Sequence, residues 1–511
     1  MKKQRKAWFM LLAVMLVVTM LGGCSGNKKA NEASTAPTAK ATEETKPSVE
    51  PVKKLDPYEI KWFFIGNENQ PDLASVEKAA SEYLTEKINA TLDINILGWG
   101  DWDAKTNAMM ATGEDFDVIF TAYWKGYNAN SARKAYLSID DYWDLMPNTK
   151  ALLGEDFING ARINGKLMAL PANKDKAHAY GILYRKDIAE KLSIDMSGVK
   201  SFQDLEPILA KVKAEMPDVY PFGNGLGLNH AGGMFEYLTG GATSTILYAQ
   251  KPEDNKVYNL DETPELKANL LFARDWYKKG YYRPDLATYK GDDKADGKVF
   301  AYAEQLKPGK EAEMNNAFSD KAPEGAEYAQ IYFTTPIIST TDTTGSMMAI
   351  SQTSKDPERA AMFLELLNTD PYLNNLINFG IEGKHYKKVS DKVIEVIQDG
   401  GYTYAGLNWV IGNQYINYLL PNEDPMKWDK FKEFNDNAVP DRSLGFNFDP
   451  EPVKTELAGL TTIYTEFGDL YHGVIDPEVY LPKQIEKAKK AGVDKVVVEV
   501  QRQYDEWLKL K

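Results

Sequence analysis

The chain has 511 residues and a formal net charge of −14, because 74 Asp and Glu outnumber 60 Lys and Arg. Such an acidic chain repels phosphate backbones, which argues against nucleic-acid binding. One Cys and four His exclude a disulfide framework and a zinc cluster.

The N-terminal residues have the pattern of a bacterial lipoprotein signal. Basic residues precede an apolar stretch from Ala7 to Leu21, which is shorter than the roughly 20 residues that cross a bilayer. Leu21-Gly22-Gly23-Cys24 then resembles a lipobox. We therefore expect residues 1–23 to be removed and Cys24 to carry a diacylglycerol, which anchors the protein on the outer face of the cell membrane. An ordinary signal peptide followed by a coincidental cysteine is the alternative.

Residues 24–54 are predicted to form a disordered tether behind the lipidated Cys24. From residue 25 onward this segment contains no aromatic residue, Leu or Ile, and is rich in Ala, Thr, Glu, Lys, Ser and Pro. It cannot bury enough apolar surface to offset the entropy of ordering. A folded domain held away from the membrane is the consequence.

The next 60 or so residues alternate between strand and helix patterns. The predicted elements are a strand over Tyr58–Ile65, a helix capped by Asp72, a strand over Thr91–Leu97, a helix over Trp102–Thr112 and a strand over Phe116–Phe120. This order predicts a parallel sheet, because parallel strands need crossover connections. Ligands of open α/β sheets bind beyond the carboxyl ends of the strands. The residues found there are Asn67, Glu68, Trp99, Asp101, Tyr123 and Trp124.

Helical patterns dominate the remaining chain. The predicted helices are Phe202–Glu215, Pro264–Lys279, one that starts after Asp356, Lys454–Tyr471, Pro482–Lys490 and Lys495–Leu510. A Thr-rich run over Ile331–Thr344 has a strand-like composition instead.

Several sequence strings resemble a known family. They are "GKLMALP" from Gly165, "YGILYRKDIAEKL" from Tyr180, "SMMAISQTSKDPERAAMFLELLNTD" from Ser346, "GIEGKHYKK" from Gly380, "IGNQYINY" from Ile411 and "RSLGFNFDPEPVKTELA" from Arg442. Together with the lipobox and tether, they are similar to extracellular solute-binding lipoproteins of ABC importers, in the class that binds sugars and oligosaccharides. The C-terminal strings resemble the LplA-like branch.

The resemblance implies an α/β, two-lobed, periplasmic-binding-protein-like fold. Each lobe is expected to be a mixed sheet flanked by helices, with hinge strands joining the lobes and the ligand in the cleft between them. The implied boundaries are residues 55–172 for the first part of lobe 1, 173–340 for lobe 2, 341–400 for the return to lobe 1, and 401–511 for a helical C-terminal region that packs on the lobes and cleft.

The resemblance also implies the function. The expected protein is a monomer that captures a carbohydrate, specifically an oligosaccharide, and delivers it to the permease subunits of an ABC transporter. No cofactor, metal or enzymatic activity is expected.

The candidate ligand-binding residues combine flat rings with polar groups. A sugar ring offers an apolar face of C–H groups and a rim of hydroxyls, which suit aromatic rings and polar side chains respectively. The aromatic candidates are Trp99, Trp124, Trp409 and Tyr123, and the polar candidates are Asn67, Glu68, Asp101, His178, Tyr180 and Asp342. Trp62, Trp143, Trp276 and Trp507 fall within helix or strand patterns and are expected in the core.

Two other functions use the same sequence features. A sensing lipoprotein would bind a ligand in the same fold without transport. An anchored glycoside hydrolase would need only two carboxylates about 5–9 Å apart, although the sequence lacks the eightfold βα pattern of a barrel hydrolase.

The acidic run Asp292–Gly297 is typical of a solvated turn rather than a calcium loop, because Lys294 and Ala295 stand where ligands are needed.

Overall fold

The computed structural model describes residues 55–223, 235–237, 247–250, 255–289, 291–404 and 407–509. The predicted signal peptide, Cys24 and tether lie outside these residues. Within the described residues the strands are β1 Tyr58–Gly66, β2 Ala90–Gly98, β3 Val118–Thr121, β4 Leu170–Pro171, β5 Ala179–Arg185, β6 Tyr220–Phe222, β7 Phe235–Tyr237, β8 Leu247–Gln250, β9 Val257–Asn259, β10 Val299–Leu306, β11 Tyr328–Tyr332, β12 Ile337–Ile338, β13 Met347–Ile350, β14 Tyr386–Lys388, β15 Ile394–Val396 and β16 Val439–Pro440.

The helices of the same described ranges are α1 Leu73–Ile88, α2 Trp102–Thr112, α3 Tyr127–Ala132, α4 Pro147–Leu153, α5 Glu155–Gly160, α6 Lys186–Lys191, α7 Glu206–Glu215, α8 Pro264–Lys278, α9 Lys310–Asn316, α10 Thr340–Thr343, α11 Pro357–Thr369, α12 Pro371–Phe379, α13 Lys427–Asp436, α14 Lys454–Glu466, α15 Gly468–Tyr471, α16 Pro477–Lys490 and α17 Val493–Leu508. Across this part of the chain, we find no helix with the length and apolar character needed to span a bilayer.

The first sheet has the strand order β2-β1-β3-β13-β4. Strand β1 is parallel to β2 and β3, as the sequence predicts, whereas β13 runs antiparallel to β3 and β4. Alternate side chains of β1, including Ile60, Trp62 and Phe64, are fully buried beneath α11, while α1 packs on β2. The alternation that marked β1 as a strand therefore also places the core of the first lobe.

The second sheet has the order β11-β5-β10-β6 and a core of its own. Strand β5 is antiparallel to both neighbours, and β6 is parallel to β10. Ile182, Phe222, Trp276 and Phe300 pack between this sheet and helices α7 and α8. The two mixed sheets with flanking helices confirm the predicted α/β architecture.

Three chain segments run between the two sheets. The first joins β4 to β5, and the second returns from β11 to β13. The third, which the sequence did not locate, passes beside them: Asn173 N donates to Gly412 O over 2.9 Å, and β16 pairs in parallel with β12. His178 and Ile337 exchange backbone hydrogen bonds, which ties the first segment to the second.

Three local predictions differ from the structure. Asp72 precedes α1, but in the described structure its carboxylate caps no backbone group and instead accepts from Ser75 Oγ and faces His385. The Thr-rich run is not one strand, because Ser339 and Asp342 form a capping box that starts α10. The helix predicted from Pro482 begins at Pro477, where Asp476 accepts from Glu478 N and supplies the cap.

The C-terminal helices share a core with an earlier part of the chain. Val496 and Val500 of α17 pack with Val257 of β9 and with Leu266 and Leu270 of α8. This region therefore joins elements that lie more than 200 positions apart in sequence. The lobe boundaries given above remain predictions.

Candidate functional site

A cleft of about 760 Å³ lies where the two sheets face the crossing segments. Its lining residues come from the turn after β3, from β10 and α9, from all three segments, and from α12 and α13. They are Tyr123, Trp124, Lys174, Asp175, His178, Glu304, Gln305, Leu306, Lys307, Lys310, Glu313, Asn316, Ala317, Thr341, Asp342, Gly345, Phe379, Asn408, Trp409, Gln414, Tyr418, Leu420, Glu423 and Lys427. This volume lies within the range of small-molecule binding sites.

One wall of the cleft is aromatic. Trp124 and Trp409 line it with ring centroids 6.3 Å apart, and Trp99 lies behind them at 6.0 Å and 6.2 Å from the two rings. Phe120 at the end of β3 supports Trp124 and Trp409 from below. The parallel strands β2 and β3 end at the same edge of the first sheet, which is why residues as far apart in sequence as Trp99 and Trp124 meet.

Hydrogen bonds to the backbone fix this aromatic wall. Trp124 Nε1 donates to Gly345 O over 3.0 Å, and Ser346 Oγ donates to Trp409 O over 2.9 Å. Both partners belong to the segment that leads into β13. The wall is thus anchored to the second crossing segment, and Trp99 remains 42% exposed at its outer end.

His178 and Asp342 join two crossing segments at the base of the cleft. His178 Nδ1 lies 2.9 Å from Asp342 Oδ1, and the His178 side chain is buried. Burial disfavours the charged imidazole, but the carboxylate of Asp342 outweighs it, so the pKa of His178 is raised. Burial and the charge of Asp342 also raise the pKa of Tyr123.

The opposite wall is ionic and internally neutralised. Lys307 at the end of β10 lies 3.4 Å from Asp175 and 3.0 Å from Glu313. Burial alone would raise the pKa of Asp175, but Lys174 and Lys307 together lower it. Each of the four lysines that line the cleft has a carboxylate oxygen within 4 Å, at 3.7 Å for Lys174, 3.0 Å for Lys307, 3.9 Å for Lys310 and 2.6 Å for Lys427.

The structure brings some predicted site residues to the cleft and leaves others elsewhere. Trp124, Trp409, Tyr123, His178 and Asp342 line it. Trp99 contacts it only through the other two Trp rings, and Tyr180 is buried beside the His178 ring.

The three remaining candidates lie on the surface and not in the cleft wall. Asn67 and Glu68 are exposed in the loop after β1, where Glu68 accepts from Gly98 N over 3.1 Å. Asp101 pairs with Lys105 in the same helical turn region. Their positions at strand ends were correct, but those ends face solvent beside the cleft.

Sequence reasoning missed the second sheet's contribution. Glu304 to Lys307 lie at the end of β10, and residues 310–316 form α9. Strand β10 has antiparallel and parallel neighbours, so no sequence pattern indicated which of its ends faces the cleft. The Asn408, Gln414 and Tyr418 positions were missed because their segment has little regular structure.

The described residues contain no group of His, Cys, Asp and Glu arranged to hold a metal ion. In the acidic turn after Gly291, Asp293 pairs with Arg283, while Asp296 accepts from Ser319 Oγ and pairs with Lys321. These carboxylates are therefore engaged by hydrogen bonds and basic side chains. The prediction of a solvated turn is therefore wrong for Asp293 and Asp296, which are buried against their partners.

Two mixed α/β sheets, three crossing segments and an interlobe cleft with an aromatic wall define a solute-binding protein. The comparison with known proteins agrees: the "Carbohydrate ABC transporter substrate-binding protein" of Streptococcus pneumoniae serotype 4 (strain ATCC BAA-334 / TIGR4) is 31% identical over 461 residues, covering 88% of this chain and 91% of that protein. The chain belongs to the family of carbohydrate ABC transporter substrate-binding proteins. It is thus the extracellular, non-enzymatic, carbohydrate-binding component of an ABC transporter.

Solved structures show the same fold. The N-glycan transport solute binding protein NgtS of S. pneumoniae matches with a TM-score of 0.78 at 28% identity, covering 89% of this chain and 99% of that chain. The crystal structure of NgtS in complex with Man5GlcNAc matches with a TM-score of 0.67 at 29% identity and the same coverage. A family model described as "Domain of unknown function (DUF3502)" matches residues 442–509.

Proposed function

We propose that this protein binds a neutral oligosaccharide in the cleft, with Trp124 and Trp409 as stacking platforms and Trp99 as their support. The observation that carries the proposal is the aromatic wall, where the Trp124 ring is held by its hydrogen bond to Gly345 O and the Trp409 backbone is held by Ser346 Oγ. Both rings face a cleft large enough for several sugar units. Trp rings offer flat apolar area at low entropic cost, which suits the C–H face of a sugar.

The opposite wall supports an uncharged ligand. Among the described residues that line the cleft, four lysines face five carboxylates, so the cleft offers no excess positive charge to an acidic sugar. The paired carboxylates and lysines, with Gln305 and Asn316, provide the acceptors and donors that ring hydroxyls need. His178, Asp342 and Tyr123 belong to the same polar surface.

The NgtS relatives support an oligosaccharide rather than a single sugar. NgtS binds Man5GlcNAc in its complex, and this chain covers 99% of that structure. We also expect the cleft to close around its ligand by shifting a pre-existing equilibrium between open and closed forms.

The remaining parts of the function rest on the N-terminal sequence and the family strings. A lipid on Cys24 would hold the monomer on the outer face of the membrane, where the tether lets it meet the permease subunits. The C-terminal strings favour the LplA-like branch of the family.

A thermal-shift screen of the purified mature chain against a glycan panel tests the binding proposal. The panel contains Man5GlcNAc, shorter mannose oligosaccharides, and acidic glycans that carry uronic or sialic acid. A neutral oligosaccharide should raise the melting temperature by mass action, and the acidic glycans should not. Stabilisation by acidic glycans alone, or by no glycan, would contradict the proposal. The bound glycan should be recovered intact after incubation.

The sensing function remains the second candidate, because it would use the same cleft. Genetic loss of uptake separates the two: deletion of the chain should abolish growth on the bound glycan if the protein serves transport. Normal glycan uptake in the deletion strain would favour the sensor.

A further inference from the structure

A chain of side-chain amides runs from helix α12 to the cleft. Asn374 Nδ2 donates to the backbone carbonyl of Leu367 over 2.8 Å, and Asn374 Oδ1 accepts from Asn417 Nδ2. Asn417 Oδ1 accepts from Asn408 Nδ2 over 2.9 Å, and Asn408 Oδ1 accepts from Gln414 Nε2 over 3.1 Å. Asn374 is fully buried, whereas Asn408 and Gln414 line the cleft.

The chain of amides has a single possible direction. A backbone carbonyl can only accept, so Asn374 must turn its NH₂ group toward Leu367 and leave its oxygen for Asn417. Each amide then presents its oxygen to the next, until Asn408 receives a hydrogen bond from Gln414. The orientation of the Asn408 amide is therefore set inside the protein, before any ligand arrives.

Asn408 keeps hydrogen-bonding capacity for a ligand. An amide has two N–H donors and two oxygen lone pairs, and the chain uses one of each on Asn408. As far as the described residues show, one donor and one acceptor remain, on a half-buried side chain adjacent in sequence to Trp409. Two neighbouring ring hydroxyls, each able to donate and accept, complement this pair.

The side-chain oxygen of Gln414 is buried and unpaired among the described residues. Gln414 as a whole is 3% exposed. An unpaired buried acceptor costs folding free energy. The Gln414 side chain therefore contributes its N–H to Asn408 at a cost to the fold.

We propose that Asn408 is a sugar-binding residue that recognises two adjacent hydroxyls on the ring stacked against Trp409, and that Gln414 is its positioning residue. This assignment rests on the proposed oligosaccharide function. It adds specificity to that function: the aromatic wall accepts any flat sugar face, whereas a pre-oriented amide selects the arrangement of hydroxyls around the ring.

Calorimetric titration with Man5GlcNAc, or with the panel glycan that stabilises the wild type most, tests the assignment. Asn408→Ala should weaken binding about 10-fold, because two hydrogen bonds to the sugar are lost. Gln414→Met keeps the side-chain shape and should weaken binding about 3- to 10-fold. Its melting temperature without ligand should stay equal or rise, because the unpaired buried oxygen is removed.

Gln484→Met is the matched control. Gln484 is also a fully buried glutamine with an unpaired Oε1, but its Nε2 donates to Asp261 over 2.7 Å in the C-terminal helices, and it does not line the cleft. This variant should melt at a lower temperature and bind the glycan like the wild type. A merely structural role for Gln414 would make Gln414→Met behave like the control, and that result would overturn its assignment.

Asn408→Asp tests the direction of the amide chain. At pH 7 its carboxylate would face Asn417 Oδ1, so binding should be weaker than in Asn408→Ala and recover as the carboxyl group protonates at lower pH. Wild-type affinity of Asn408→Asp at pH 7 would refute the direction. If Trp409→Ala loses binding while Asn408→Ala keeps it, the inference fails and the proposed function stands. If the wild type binds no glycan, the proposed function itself fails.

Discussion

Replacing Trp409 by Ala should weaken oligosaccharide binding without unfolding the protein. The Trp409 ring is half-buried, contacts the Trp99, Trp124 and Phe120 rings, and lines the cleft. A sugar stacked on it would cover apolar ring surface that is accessible only in the unliganded state. The substitution therefore removes more from the bound state than from the free state.

The expected size follows from the exposed ring area. Covering about 50 Å² of apolar surface contributes roughly 1.2 kcal/mol, and stacking adds about 0.5–1.5 kcal/mol. The sum of these two free energies corresponds to a dissociation constant raised about 20- to 100-fold, since about 1.4 kcal/mol changes the dissociation constant tenfold. Folding should lose about 1–3 kcal/mol, less than the roughly 3–5 kcal/mol expected for a fully buried Trp such as Trp276.

Titration calorimetry of the Trp409→Ala variant, paired with denaturant unfolding of the free protein, measures both quantities. Trp143→Ala is the control: Trp143 is half-buried like Trp409 and packs against the same core, but does not line the cleft. It should lose stability and keep its affinity. Equal losses of affinity in both variants, or wild-type affinity of Trp409→Ala, would refute the stacking argument. Trp99→Ala should fall between them, because Trp99 contacts the cleft only through the other rings.

Three further outcomes follow from other parts of the molecule. Burial raises the pKa of Asp261 to about 6 from 3.8, so the folded state binds this proton more tightly than the unfolded state, and the contribution of Asp261 to stability should fall by about 2 kcal/mol as pH rises from 4 to 6. Asp261→Asn should flatten that dependence in denaturant unfolding at pH 4, 5, 6 and 7, and an unchanged slope would contradict the cause given. Small-angle scattering should show a smaller radius of gyration with saturating glycan than without, whereas an unchanged radius would indicate a rigid cleft. Cys24→Ser should move the protein from the membrane to the soluble fraction, and equal solubility of the wild type would count against the lipid anchor.

Several elements were predictable from local sequence. Strand β1 and helices α2 and α8 begin and end within about two residues of the predicted positions, because alternation, helical periodicity and the Gly113 and Pro264 boundaries act over a few residues. The carboxyl ends of β2 and β3 were likewise recognisable, which brought Trp99 and Trp124 into consideration. Two predicted helix starts were wrong. Asp72 pairs with His385 instead of capping α1, and Pro482 lies inside α16 instead of at its first turn.

The sequence by itself indicated the family, the order of the first strands and helices, and the strand ends that carry Trp99 and Trp124, since these depend on residues close together in the chain. Only the tertiary structure decided which strand ends share one cleft. Trp409 reaches Trp124 because the third crossing segment passes beside Asn173, and Lys307 reaches Asp175 because β10 pairs with β5. These contacts join residues separated by more than 100 positions. They depend on how two sheets and three segments pack together, and no local periodicity carries that information.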